Sequence, residues 1–250
     1  MVSVGLIGLI FAGGLAWATL INGIAHRLLK ERALLQVPPR CVSCDTALAW
    51  YDVIPVISHM IFGGTCRPCA SPASFLYPAV EIFGACVFTA LWYTRGCDYG
   101  QLWSCKLSLD LLFATALLIT LRTDLEEMFI FRFSSLYLVP VWIFCALMGW
   151  LELTFVESCL GASLGYFIPW CAGRFFFAMR GIEGIGVGDL EFLAMIGAFF
   201  GPIKMIDGML VACVSGIVIG VIYAVIHRDR RIRIPFGPFL ALGALVELFR

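Results

Sequence analysis

The chain has 250 residues, 61% of them hydrophobic and only 14% charged, with 17 basic side chains against 17 acidic ones. A mean hydropathy of +0.96 excludes an ordinary soluble domain, and a formal net charge of zero leaves no footprint for a nucleic-acid partner. The composition is that of an all-α polytopic membrane protein in contact with lipid.

Apolar runs at residues 2–25, 76–93, 107–121, 133–150, 155–173, 190–203, 207–226 and 235–249 predict about eight transmembrane helices. Several fall short of the ~20 residues of an ideal crossing, so seven spans plus a re-entrant element is the alternative. The first run lacks a basic region before it and is followed by Arg27, Lys30 and Arg32. It reads as a retained helix with its N-terminus outside. Eight crossings from that start put residues 26–75, 122–132, 174–189 and 227–234 inside. Those loops hold 13 of the 17 Lys and Arg, with only Arg95, Lys106, Lys204 and Arg250 outside. This is the asymmetry of the positive-inside rule. The predicted organisation is a first helix over 1–25, a cytosolic loop domain over 26–75, and a transmembrane core over 76–250.

In the first loop, the apolar pattern among charges from His26 to Gln36 predicts that the first helix runs out along the membrane surface until Pro38-Pro39 stops it. Two Cys-x-x-Cys pairs follow, Cys41-Val42-Ser43-Cys44 and Cys66-Arg67-Pro68-Cys69, separated by 21 residues. Four thiolates in that spacing make a tetrahedral all-sulfur site for structural zinc, with no position left open for water. The alternatives are a redox pair or coincidence, and the reduced cytosol favours the metal. Of the other seven cysteines, Cys86, Cys145, Cys159, Cys171 and Cys213 lie in apolar spans as small buried hydrophobes. Cys97 and Cys105 lie near an outer loop.

Two aspartates stand at comparable depth in the core. Asp124 closes the third span and Asp189 opens the sixth, and both ends face the same side. A charge at a helix centre costs about 2.5–3.5 kcal/mol, and less near the interface, so acidic residues there suggest function. Two carboxylates at one level share a proton, and one takes a proton from water while the other donates to a peptide carbonyl. Gly184, Gly186 and Gly188 before Asp189 give a substrate backbone room to approach. The competing reading makes Asp189 the N-cap of its helix and Asp124 a solvated loop charge.

These features together resemble the type IV prepilin peptidases, membrane aspartic proteases with a Gly-x-Gly-Asp motif. The likeness runs through Thr19 to Leu28, the segment Cys41 to Cys69 with Trp50-Tyr51-Asp52 and Ile54-Pro55-Val56-Ile57-Ser58, then Tyr77-Pro78-Ala79-Val80-Glu81. It continues through the Asp124 and Asp189 segments to Ile234-Pro235-Phe236-Gly237-Pro238-Phe239-Leu240. The resemblance implies that Asp124 and Asp189 are the catalytic pair of a peptidase core over 76–250. It implies a bacterial inner-membrane enzyme that cuts the basic leader from prepilin or pseudopilin precursors at the cytoplasmic face. It further implies N-methylation of the new N-terminus from S-adenosylmethionine, with the loop over 26–75 as the methyltransferase part and Asn22, Arg27 and Glu81 at its site.

Two positions depart from the family pattern. Glu191 stands where a Lys is usual two residues after the second Asp, and Phe131-Arg132 stands where Pro-Asp is usual. An added negative charge beside Asp189 favours its protonated form. The rival reading is therefore an inactive, zinc-clamped scaffold or pilin-binding homologue.

Overall fold

In lipid every backbone amide needs an internal partner, so long apolar runs fold as helices. The computed structural model describes residues 4–30, 40, 41, 43–61, 63–96, 105–181, 184–227 and 235–250. Among these residues the chain is mostly helical, with no strands beyond two isolated bridges. The predicted extension to Gln36, the stop at Pro38-Pro39, Arg32, Cys97 and the basic run of 228–233 lie outside the described residues. The chain divides into two compact units, Met1–Leu102 and Trp103–Arg250.

The first unit contains α1 (Val4–Leu29), the short α2 (Ile57–Ile61) and α3 (Leu76–Leu91). Gly14 lets α1 meet α3 closely, since a Cβ there would stand 3.0 Å from both Ala85 Cα and Phe88 Cβ. Polar clasps lock the register: Thr19 Oγ1 donates to Glu81 Oε1 at 3.2 Å, and Asn22 Nδ2 to the Tyr77 carbonyl at 3.1 Å. These contacts pack α3 with α1 inside the first compact unit.

The second unit runs through α4 (Cys105–Glu127), 3₁₀ turns at Arg132–Ser134 and Leu136–Leu138, then α5 (Val139–Leu147) and α6 (Phe155–Arg180). It ends with α7 (Val187–His227) and α8 (Gly237–Phe249). Thr154 and Glu157 form a capping box that starts α6, and Gly181, at φ 68°, ends it. Its core is aromatic. Phe113 of α4 stacks on Phe199 of α7 at 4.0 Å between centroids, and Trp142 of α5 sets its edge against both rings. Glycines bring α6 and α7 into backbone contact: a Cβ on Gly161 would overlap the Gly197 carbonyl, and the reverse also holds. Ser158 stitches the same seam by donating to the Ala198 carbonyl at 2.7 Å. This is small-residue packing as used between helices in lipid.

Among the described residues, three helices are long and apolar enough to cross a membrane by length and composition: Gly5–Leu29, Leu76–Arg95 and Val187–Ile226. Shorter apolar helices lie at Arg132–Leu147 and Gly237–Phe249. The runs 190–203 and 207–226 join in α7, broken internally only where Gly201 adopts φ 79° before Pro202. The run 133–150 contains only nine α-helical residues, because Pro140 in the first turn of α5 leaves the preceding residues to 3₁₀ turns. Of the five cysteines expected to be buried, Cys145 is buried, Cys159 and Cys213 are half-buried, and Cys86 and Cys171 are exposed on outward helix faces. In a protein solvated by lipid, a small apolar side chain has no reason to avoid that face.

Gly197→Ala forces a methyl group into the Gly161 carbonyl. Overpacking of this kind costs about 1–3 kcal/mol. Thermal melts of the detergent-solubilised protein are expected to show a lowered Tm, and an unchanged Tm would contradict the α6–α7 contact.

Candidate active site and metal centre

Helix α4 ends one turn after Asp124 because Met128 takes φ 52°, and its N–H bonds the Asp124 carbonyl at 3.0 Å. The Asp124 side chain is only 5% exposed. Its Oδ2 accepts the backbone N–H of Gly237 at 2.8 Å. Gly237 opens α8, whose flanking Phe236 supplies no side-chain cap. The carboxylate from α4 therefore satisfies an amide that a helix start leaves unpaired. The fit also requires glycine, since a Cβ at 237 would lie 2.7 Å from Asp124 Oδ2 and 3.1 Å from its Cγ.

Asp189 has a matching arrangement. Helix α7 begins at Val187, so Asp189 is its third residue and not the N-cap. Its carboxylate turns back towards the start of the helix, where the Gly186 backbone amide favours its charged form. A Cβ on Gly186 would stand 3.2 Å from Asp189 Oδ2. Asp189 is close enough to Asp124 for their charges to interact. The two predicted aspartates are thus near enough for their charges to interact, with Asp124 held by the Gly237 amide at the start of α8 and Asp189 set against the Gly186 backbone at the start of α7. The glycines before Asp189 also serve the protein's own packing: a Cβ on Gly188 would press on Ile130 at 3.0 Å, and one on Gly184 on Phe176 at 2.9 Å.

Glu191 lies one turn into α7 and is nearly buried, at 6% side-chain exposure. Arg132 Nε approaches its Oε1 at 3.2 Å. The negative charge expected to bear on Asp189 therefore has its own counter-ion. Arg122, fully buried, pairs with Glu126 one turn along α4.

Sequence reasoning included Gly237 only within a matching segment and gave it no role. The available signal was a glycine between Phe236 and Pro238 at a helix start, with a free amide and no capping side chain before it. The Arg132–Glu191 pair was missed because its members lie 59 positions apart and were read as two separate departures.

In the first unit, the Sγ atoms of Cys41, Cys44, Cys66 and Cys69 all lie within 4.8 Å of one another, with Cys41–Cys69 at 3.8 Å and Cys44–Cys66 at 4.0 Å. A tetrahedron with Zn–S bonds near 2.3 Å has edges of roughly 3.8 Å, so the donor set fits zinc. Both pairs fold alike. Cys41 N–H bonds Thr46 O and Asp45 N–H bonds Cys41 O, while Cys66 N–H bonds Ser71 O and Ala70 N–H bonds Cys66 O. Asp45 and Ala70, each four residues after the first cysteine of its pair, share φ 54°. The bridges Arg40–Ala47 and Thr65–Pro72 close both knuckles in the same register. Between them, Arg67 binds Asp52 through Nε at 3.0 Å and Nη2 at 2.6 Å and lies over the Tyr51 ring.

The amides of Cys44 and Ser43 hold the Cys41 thiol at about 6, and Ser71 lowers Cys69. Cys66 is lowered by the Cys69 amide but pushed up overall to about 12, by desolvation and by the neighbouring thiols. Thiolates this close repel one another, and a bound dication removes the conflict by taking all four deprotonated.

Of the residues implied for methyl transfer, Asn22 and Glu81 lie on the α1–α3 seam. Glu81 is buried; its Oε2 accepts the Val56 N–H at 2.9 Å and its Oε1 the Thr19 hydroxyl. It thereby clamps a turn in which Val56 adopts φ 59°, an uncommon conformation for a β-branched residue. Arg27 lies five residues beyond Asn22 on α1, roughly 7.5 Å along the axis.

Metal analysis of the purified protein is expected to find about one equivalent of zinc. Cys44→Ser or a strong chelator should remove it and make residues 40–75 protease-sensitive, with helical circular dichroism retained. A knuckle equally resistant without metal would contradict the assignment.

Comparison with known proteins supplies the lineage. The model described as "Bacterial Peptidase A24 N-terminal domain" matches residues 12–95, and that of the type IV leader peptidase family matches residues 111–221. A prepilin leader peptidase/N-methyltransferase of Burkholderia pseudomallei is 30% identical over 266 residues, covering 94% of this chain and 82% of the relative. One from Aeromonas hydrophila is 32% identical over 222 residues, covering 86% and 72%. No solved structure matches. With both halves of the sequence matched, and relatives of this identity covered over most of their length, the chain belongs to the type IV leader peptidase family.

Proposed function

We propose that the chain is an aspartic endopeptidase of the bacterial inner membrane that removes the basic leader of prepilin or pseudopilin precursors. The observation that carries this reading is that the charges of Asp124 and Asp189 interact, with Asp124 held by the Gly237 amide and Asp189 set against Gly186, each at a helix start. One carboxylate takes a proton from water as it attacks the scissile carbonyl, and the other donates to that carbonyl oxygen. The amides of Gly237 and Gly186 fix the carboxylates' orientation before substrate arrives, so that little reorganisation is needed during reaction. The basic residues gathered in the loops of 26–75, 122–132, 174–189 and 227–234 support a cytosolic placement of those loops, with the N-terminus outside.

A second activity, N-methylation of the freed amine, is assigned to the first unit. S-adenosylmethionine would supply the methyl group. Asn22, Arg27 and Glu81 would orient the reacting groups, and Glu81 keeps acceptor capacity beyond its two bonds. Zinc would hold the knuckles beside this helix pair. The names of the relatives, which pair peptidase with N-methyltransferase, support both activities. The scaffold reading rests on the departures at Glu191 and at Phe131-Arg132, and the Arg132–Glu191 pairing gives the first of these a counter-ion.

Co-expression with prepilin-like precursors, read by intact mass, tests the peptidase. Wild type is expected to yield a leader-sized loss followed by the gain of one methylene's mass. Asp124→Asn and Asp189→Asn should each abolish cleavage while keeping zinc and thermal stability. Retained cleavage in either variant would sink the aspartic mechanism. Gly237→Ala should displace the Asp124 carboxylate and lower kcat by about 100-fold, the scale of a 1 Å misplacement. Activity within twofold of wild type would show that the amide cradle does not matter.

A further inference from the structure

We propose that the Arg132–Glu191 ion pair is a positioning latch that sets the separation of the two aspartates. The inference rests on the peptidase reading above. Glu191 stands two residues after Asp189 on α7, and Arg132 eight residues after Asp124, in the 3₁₀ turn that follows α4. That turn is tied to α4 as well: Ser134 Oγ meets Thr120 Oγ1 at 3.2 Å in a buried contact, and Thr120 lies one turn before Asp124. It touches α7 a second time where Ile130 occupies the space a Cβ on Gly188 would need. A short strut thus joins both aspartate-bearing helices beside the site, with the Arg132–Glu191 contact as its only charged link among the described residues.

The burial of the pair is unequal. The Arg132 side chain is 64% exposed and that of Glu191 only 6%. An exposed guanidinium by itself gains little from a surface partner. The nearly buried carboxylate, however, would be left uncompensated without it, and breaking one side of such a pair is the costly change.

The two departures from the family pattern then become one. Where the resemblance leads one to expect Lys at 191 and Asp at 132, this chain carries Glu and Arg, so both signs are reversed and the attraction between the positions is retained. A Glu191→Lys change alone, which moves the sequence towards the family pattern, is expected to harm this chain, because it sets Lys against Arg132.

A double-mutant cycle tests the latch, with kcat and KM for one precursor measured in protein of confirmed zinc content and Tm. Arg132→Glu and Glu191→Lys should each lower kcat by about tenfold or more with KM within twofold, and the double variant should recover to within about threefold of wild type. Losses that multiply in the double variant, or singles with full kcat, would overturn the proposal. Should the swapped protein not fold, Arg132→Gln, Glu191→Gln and their combination serve the same purpose, with non-additive losses expected and additive ones overturning it. Amide exchange at residues 187–191 gives a readout independent of catalysis. Arg132→Gln should speed it about tenfold, with the Asp124→Asn background behaving alike, and unchanged exchange would overturn the latch. Failure of Asp124→Asn to abolish cleavage would sink the peptidase reading and leave the exchange result standing.

Discussion

The hydrogen bond from Gly237 N–H to Asp124 fixes the geometry on which the second unit depends. A helix start leaves amides unpaired, and a buried one needs an acceptor from the protein. Helix α8 carries no capping side chain of its own, and a carboxylate from α4 supplies the acceptor. The same contact therefore closes the α4–α8 seam and holds a functional group in one orientation. At α7 the solution is repeated locally, where Asp189 turns back onto Gly186. Glycine is required at 237 because the carboxylate occupies the space a side chain would fill.

The zinc knuckles solve a different problem. The stretch between α1 and α3 has little apolar core of its own, and Met60, Ile61 and Phe75 in it are largely exposed. A segment of this kind cannot bury enough surface to offset its ordering entropy, and a metal ion held by the four cysteines would provide the missing free energy. The matching hydrogen bonds around Cys41 and Cys66 bring all four sulfurs to tetrahedral spacing without long-range packing. Glu81 then ties the intervening Ile54–Val56 turn back to the helix pair.

Much of this was legible in the sequence, because it depends on local rules. The Cys-x-x-Cys spacing anticipates the thiol cluster, and the placement of Asp124 and Asp189 near helix ends is compatible with the interaction of their charges. Each long apolar run is met by a helical segment. What was not legible depends on tertiary contact. The continuity of α7 through Gly201-Pro202 is hidden, since Pro in a first turn reads equally as a new helix. The pairing of α3 with α1 turns on a close approach at Gly14, which has no sequence signature by itself. Arg132 and Glu191 looked like separate defects, and only their proximity shows them as partners.

The account's central claim is that two carboxylates from α4 and α7 form one site, with α8 supplying the amide that orients the first. The most direct measurement is an experimental structure of the zinc-loaded, lipid-embedded protein at a resolution that shows carboxylates. The account predicts Asp124 Oδ2 within hydrogen-bond reach of Gly237 N, and the Asp189 carboxylate close enough to share a proton or one water with it. Carboxylates more than about 10 Å apart, too far for a single bridging water, would contradict it.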